Sequence, residues 1–267
     1  MRVASFTQTY GNDRILEIIL LKYDRLGTLF RNKCDKIVFS FHNCGGEFIN
    51  NAKQQIEQIF PKDKLLFLYY DDLSYRQTVQ RTLKVLKSEN IDYVLQIQDD
   101  QFGLNSKDNL RQIGQYVDEI FEFVTLNKPE YLHIFGSEGD PIVNKLGFID
   151  KITLTLINYY KYDSRDFKKS NIYSWNDGTY FGEIDFLIKL FDIDNLPEDV
   201  WNLEIYLKEL FDSNKYYRWG IDKTLFKACN IHGRNRNTSP LLDNLKRFFG
   251  DLDEWETRIK TDISNYI

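Results

Sequence analysis

Residues 91–102 read IDYVLQIQDDQF, an apolar run that ends in two adjacent carboxylates, Asp99 and Asp100. A buried strand does not normally end this way unless the carboxylates meet solvent, a cation or a ligand, because an unpaired buried charge is costly. Two readings follow. The pair is a solvated strand end, or it is a divalent-cation site, since hard cations such as Mg2+ and Mn2+ take carboxylate oxygens and bridge to phosphates.

The residues before the stretch bear on that choice. Residues 2–7 predict a first strand, followed by a polar turn at 8–13 and a helix over 15–26 that ends at Gly27. KIVFSF (36–41) predicts a second strand. It runs into His42, Asn43, Cys44, Gly45 and Gly46, a loop where backbone can approach a ligand closely. A helix over 48–60 stops before Pro61, a third strand covers 65–70, a third helix 76–88 and a fourth strand 91–98. Strand and helix alternating in this way imply a parallel sheet with right-handed crossovers. In such sheets ligands sit beyond the carboxyl ends of the strands. Loops 8–12, 42–46, 71–76 and 98–103 meet there, and the acid pair lies in the last of them.

The alternation then breaks. A long helix is expected over 107–126, a strand over 131–136, one half-exposed strand over 151–160 and a charged loop over 164–173. WNDGTYFG (175–182) reads as turn-rich, 181–191 as a helix, and Pro197 opens another to about 211 with Glu198 and Asp199 in its acidic first turn. The tail, 241–267, is amphipathic and helical. No linker divides the chain, so residues 1–267 read as a single domain.

Composition narrows the class. A 42% hydrophobic, 28% charged chain of 267 residues fits a globular protein, and a net charge of -5 argues against a general nucleic-acid surface. Cys34, Cys44 and Cys229 lack paired spacing and read as reduced thiols, which points to the cytoplasm. The N-terminus MRVASFTQTY has no signal-peptide core, and no apolar run is long enough to span a membrane, which leaves peripheral contact as the only membrane association expected.

The first 105 residues resemble the nucleotide-diphospho-sugar glycosyltransferases of the GT-A fold, the family-2-like ones in particular. These place an acidic metal motif, usually Asp-x-Asp, after three strand–helix units. YVLQIQDDQF (93–102) stands in that place, with Gln98 at the first acidic position. Later segments match in patches. WNDGTYFG is similar to a turn on the acceptor side, and CNIHGRN (229–235) to a His-Gly whose histidine completes the metal shell.

The resemblance implies an α/β protein: a GT-A-like, Rossmann-type, mostly parallel sheet flanked by helices, with a variable C-terminal acceptor half. Residues 1–105 would bind the nucleotide-sugar, 106–240 would form the acceptor half, and 241–267 the helical tail. The implied activity is transfer of a sugar from a nucleotide-diphospho-sugar to a hydroxyl of a glycan, lipid-linked or protein-linked acceptor. Mn2+ or Mg2+ would be held by Asp100, Asp99 and His232. Thr7, Gln8, Thr9 and Tyr10 would cradle base and ribose, and His42 and Asn43 stand where an acid usually reads the base. Arg76 matches a basic residue that faces the nucleotide, with pairing to Asp71 or Asp72 as its plain alternative. Gln98, Asp99, Asp100, Trp175, Asn176 and Arg234 complete the nucleotide-sugar contacts, the arginine opposite the diphosphate. An inverting transfer also needs a general base, for which Asp199, Glu204 and Asp177 are the candidates, with Glu198 beside them. Two rivals stay open: a catalytically silent carbohydrate-binding or partner protein, suggested by Gln98, and a sugar-phosphate nucleotidyltransferase, which would need a Gly-rich basic loop after the first strand that residues 8–14 do not supply.

Overall fold

A computed structural model describes residues 1–10, 24–98, 101–103, 110–134, 147–167, 178–193, 196–198, 200–223 and 225–228. Its centre is β1 (Val3–Tyr10), buried on both faces from Val3 to Thr9. A strand covered on both sides belongs inside a parallel sheet. β2 (Lys36–His42) and β4 (Tyr93–Gln96) flank it in parallel, and β3 (Leu65–Tyr70) pairs in parallel with β2. The connecting helices are α1 (Arg25–Lys33), α2 (Gly46–Ile59) and α3 (Tyr75–Ser88). Ser74 opens α3 through a reciprocal capping box with Gln77. This half follows the expected alternation, with β1 running three residues further than expected and His42 closing β2 rather than lying in a loop.

Gly27 was expected to end a helix. It instead lies inside α1, three residues after the N-cap Asp24, whose carboxylate accepts the Gly27 N–H at 2.9 Å. A Cβ at Gly27 would lie 2.2 Å from Asp24 Oδ2 and 2.8 Å from Arg31 Nη1. The glycine is there to admit two buried charged groups. The expected helix 15–26 and the tail 241–267 lie, save for residues 24–26, outside the described residues.

The second half departs further from expectation. Among the described residues the main sheet has nine strands in the order β3-β2-β1-β4-β9-β6-β10-β8-β7. Here β6 is Tyr131–His133, β7 Asp150–Thr153, β8 Asn158–Asp163, β9 Tyr180–Glu183 and β10 Tyr217–Ile221. β9 runs antiparallel to both β4 and β6, so β3, β2, β1, β4, β6 and β10 all point one way. Residues 180–183 are thus a central strand, not the end of a turn or the start of a helix. Gly182 is needed there because a Cβ would lie 2.7 Å from Leu187 Cδ1 of α5 (Ile184–Phe191), the helix that follows. Residues 151–160 are not one strand but the two arms of a hairpin, β7 and β8. The buried Glu119 carboxylate holds its turn by accepting the N–H groups of Leu156 (2.9 Å) and Ile157 (2.7 Å). A short ribbon, β5 (Gln101–Gly103) with β11 (Phe226–Ala228), stands apart from the sheet.

Helices cover both faces. α1, α2 and α4 (Leu110–Asn127) pack on one side, with Phe30, Phe123 and Val124 meeting Leu95, Leu132 and Trp219, and Phe48 and Ile56 meeting Phe39. α3, α5 and α6 (Val200–Ser213) pack on the other, where Leu83, Leu187, Leu207 and Phe211 meet Phe6, Val94 and Tyr180. A single helical turn, Ser164–Phe167, follows β8 where a charged loop was expected.

Candidate functional site

The carboxyl ends of β1, β2, β3, β4, β6 and β10 open on one edge of the sheet. Ligands bind at such edges because the strand ends and the following helix N-termini present unused backbone and side-chain polar groups.

β1 brings Thr7, Gln8 and Thr9 to this edge, all buried, and ends at Tyr10. Gln8 pairs in register with Ser40 of β2, so the two side chains share a face. Both amide atoms of Gln8 and the Ser40 hydroxyl are buried without a hydrogen-bond partner among the described residues, and so is the Thr9 hydroxyl. A buried amide left unpaired costs roughly 1–3 kcal/mol per group, so such a side chain is kept for something that binds it.

β2 and β3 end in a locked corner. The buried His42 Nε2 meets the Leu73 carbonyl. A carbonyl only accepts, so Nε2 carries a proton in this contact. Asn43 Oδ1 accepts the Asp72 N–H at 3.0 Å, tying the two strand ends together. Asn43 (φ 50°) and Asp72 (φ 57°) both take the left-handed conformation that Asn and Asp tolerate.

Arg76 is held within the fold. Its guanidinium donates to the carbonyls of Ile193 (3.0 Å), Leu196 (3.0 Å) and Phe191 (3.3 Å), and pairs with Glu198 at 3.4 Å. Asp71 and Asp72 are not its partners; Glu198 is, and Glu198 also accepts the Ser74 hydroxyl. The arginine clamps the α5–α6 connection, because that connection supplies a cluster of carbonyls with no helix to satisfy them.

A buried polar row crosses the middle strands at the same edge. Gln96 and His133 both pair in register with Tyr180. The Tyr180 hydroxyl donates to Gln96 Oε1 at 2.7 Å, and Arg218 Nη2 donates to His133 Nδ1 at 2.8 Å. The Arg218 guanidinium lies 4.8 Å above the Phe167 ring. Sequence reading missed this row. Its one visible signal was a histidine inside the apolar run YLHIFG (131–136).

Burial first, and the Arg218 charge second, hold the His133 pKa well below the usual histidine value of 6.5. An unfolded histidine gains a proton near pH 6.5 while folded His133 does not. The unfolded state therefore binds more protons as pH falls, and stability drops below about pH 6.5 by up to about 1.4 kcal/mol per unit. His133→Gln is expected to remove this share of the slope between pH 6.5 and 5.5. Equal slopes in urea unfolding of both proteins would contradict it.

Of the expected catalytic residues, Glu204 lies half-buried on α6, next to Leu203 of the core. Gln98 is half-buried two residues beyond β4. Asp99, Asp100, Trp175, Asn176, Asp177, Asp199, His232 and Arg234 lie outside the described residues. Among the described residues no group of three His, Cys, Asp or Glu side chains could hold a metal ion, and no helix is long and apolar enough to cross a membrane.

No protein-family model matches the sequence, and no curated protein matches it. Solved structures do. S. aureus TarS 1–349 matches with a TM-score of 0.52 at 14% identity, covering 85% of this chain and 60% of that one. The same protein in complex with UDP-GlcNAc matches with a TM-score of 0.50 at 14% identity, covering 92% of this chain and 65% of that one. A UDP-glucose pyrophosphorylase complexed with UDP-glucose matches at a TM-score of 0.45 and 12% identity, over 83% of this chain and 91% of that one, too weakly to argue from. The chain thus spans about 60% of the length of TarS 1–349. The fold of this chain is the α/β, GT-A-like fold.

Proposed function

We propose that the protein binds a nucleotide-diphospho-sugar at the carboxyl edge of β1, β2 and β4 and transfers the sugar to a hydroxyl acceptor. The observation that carries this reading is Gln8. A buried side-chain amide with neither atom paired among the described residues, beside the equally unpaired Ser40 hydroxyl, offers a donor and an acceptor side by side. That is the complement of a nucleobase edge or a ribose diol.

In the transfer, the acceptor oxygen attacks the anomeric carbon, the bond from that carbon to the diphosphate oxygen breaks, and the acceptor proton passes to a base. Asp199, Asp177 and Glu204 are the proposed bases. Asp99 and Asp100, with His232, would hold Mn2+ or Mg2+; an oxygen-rich donor set suits these hard cations. Bound there, the metal would offset the negative charge of the departing nucleoside diphosphate. Arg234 would assist it.

Titrating UDP, CDP, GDP and ADP with Mn2+ present and absent tests the reading. At least one is expected to bind, and Gln8→Leu is expected to weaken it tenfold or more while the circular-dichroism spectrum is unchanged. If no nucleoside diphosphate binds in either condition, the proposal fails. Gln98, standing where an acid is usual, favours a second reading: a nucleotide-sugar-binding protein without turnover. Binding with no sugar release, with or without Mn2+, would select it.

A further inference from the structure

Glu198 stands beside the proposed base Asp199 in sequence, and its carboxylate is tied to the carboxyl edge of the sheet. Oε2 accepts the Ser74 hydroxyl, and Oε1 lies 3.4 Å from Arg76 Nη1. Ser74 is the N-cap of α3, and its hydroxyl oxygen also accepts the Gln77 N–H at 3.1 Å. The loop that carries Ser74 is fixed in turn. The Leu73 carbonyl meets His42, and Asn43 holds the Asp72 N–H, both at the end of β2. A line of direct contacts therefore runs from the end of β2, through the N-cap of α3, to the chain just before α6. From there α6 crosses to the opposite edge, where β10 begins.

Stability does not account for the Glu198 contacts. Its side chain is 52% exposed, and exposed ion pairs contribute little to stability. The bonds by which Arg76 holds the α5–α6 connection go to carbonyls and do not need Glu198. What the contacts fix is the place at which α6 leaves the carboxyl edge. Place matters for chemistry, because a shift of about 1 Å at a reacting group can cost about 100-fold in rate.

We propose that Glu198 is a positioning residue for the transfer, pinned by Ser74 and Arg76 so that the first turn of α6 is held against the carboxyl edge. Each Glu198 oxygen already meets a donor, so this residue is the anchor and the acceptor proton goes to another acid. Asp199 follows it directly in sequence, and Glu204 lies about one helical turn into α6. This role rests on the transfer proposed above.

Two measurements test it, one of which needs no turnover. Hydrogen exchange at the amides of residues 204–207, which bond the carbonyls of the first turn, reads the start of α6. Release of UDP from UDP-GlcNAc with Mn2+ reads turnover. Glu198→Gln removes the charge at unchanged length. Ser74→Asp keeps α3 capped, since aspartate caps as well as serine, and sets a carboxylate against Glu198. Each single variant is expected to speed exchange at these amides about threefold and to lower kcat about tenfold, with KM within about twofold. The melting temperature of Glu198→Gln is expected to move by no more than about 2 °C. Ser74→Asp combined with Glu198→Gln again sets a carboxylate against a donor, and both readouts are expected to return most of the way to the unaltered chain. Unchanged exchange in both single variants, or a double variant no better than either, would overturn the proposal. So would a raised KM with kcat unchanged, the mark of a substrate contact. If the unaltered chain releases no UDP, transfer from that donor fails, and exchange alone decides whether Glu198 anchors α6. Should Ser74→Asp fail to fold, Glu198→Gln decides.

Discussion

Replacing Arg31 with alanine is expected to cost about 4 kcal/mol of stability, the typical effect of removing one member of a buried charged pair. Arg31 is fully buried in α1. Its Nη2 donates to the Thr7 hydroxyl at 3.2 Å, while Nε and Nη1 have no hydrogen-bond partner among the described residues. Burial lowers its pKa to about 10, with Asp24 the largest influence in the opposite direction. The guanidinium is thus held, at a desolvation cost, as the neighbouring cation of the buried Asp24 carboxylate. Without it, Asp24 keeps the Gly27 N–H but loses this positive charge, and a cavity opens under β1. Asp24→Asn leaves the cap oxygen and removes the charge. If charge pairing is the cause, Arg31→Met combined with Asp24→Asn recovers most of what Arg31→Met alone loses in urea unfolding. A double variant no more stable than the single one would show that packing, not charge, sets the loss.

Arg76→Ala is expected to cost about 3 kcal/mol, because charged donors to buried or half-buried carbonyls contribute roughly 1.5–3 kcal/mol each and the site is partly open to water. The carbonyls of Ile193 and Leu196 lose this donor. The Phe191 carbonyl is less affected, since Gln80 Nε2 also donates to it at 2.7 Å. The same variant separates two roles for Arg76. As a clamp on the α5–α6 connection, its loss lowers the melting temperature and leaves nucleoside diphosphate affinity within about twofold when binding is measured well below that temperature. A tenfold loss of affinity with unchanged melting would support the nucleotide-facing role that the resemblance implied.

The half of the fold that sequence made legible is the half built from parallel strands buried on both faces. KIVFSF and YVLQI can be read as strands because a doubly covered strand needs an unbroken apolar run, and each is separated from the next by an amphipathic helix. What stayed illegible depends on partners far away in sequence. The hairpin of β7 and β8 turns where it does because Glu119, on α4, caps it. Sequence offered Asp71 and Asp72 as partners for Arg76 because they are near in the chain, whereas the carbonyls it binds come from residues 191–196. β9 was hidden by its length, four residues including a glycine, and by an apolar run continuous with the helix after it. At the candidate site, the position of Gln8 at a strand end was legible. The buried row of Gln96, Tyr180, His133 and Arg218 was not, since it forms only when four strands lie side by side.

The insertion of β9 between β4 and β6 also fixes when this protein can finish folding. As the chain leaves the ribosome, β1 to β4 can assemble, but the far side of β4 waits for a strand that ends at Glu183. At about 5–20 residues per second, the 83 residues between Gln96 and Tyr180 take roughly 4–17 s to synthesise. Throughout that interval the nascent protein presents a bare apolar strand, YVLQ, to whatever is nearby. A chaperone that binds extended apolar segments would find its target there, and a polysome crowded with copies would offer the wrong partner at the same place.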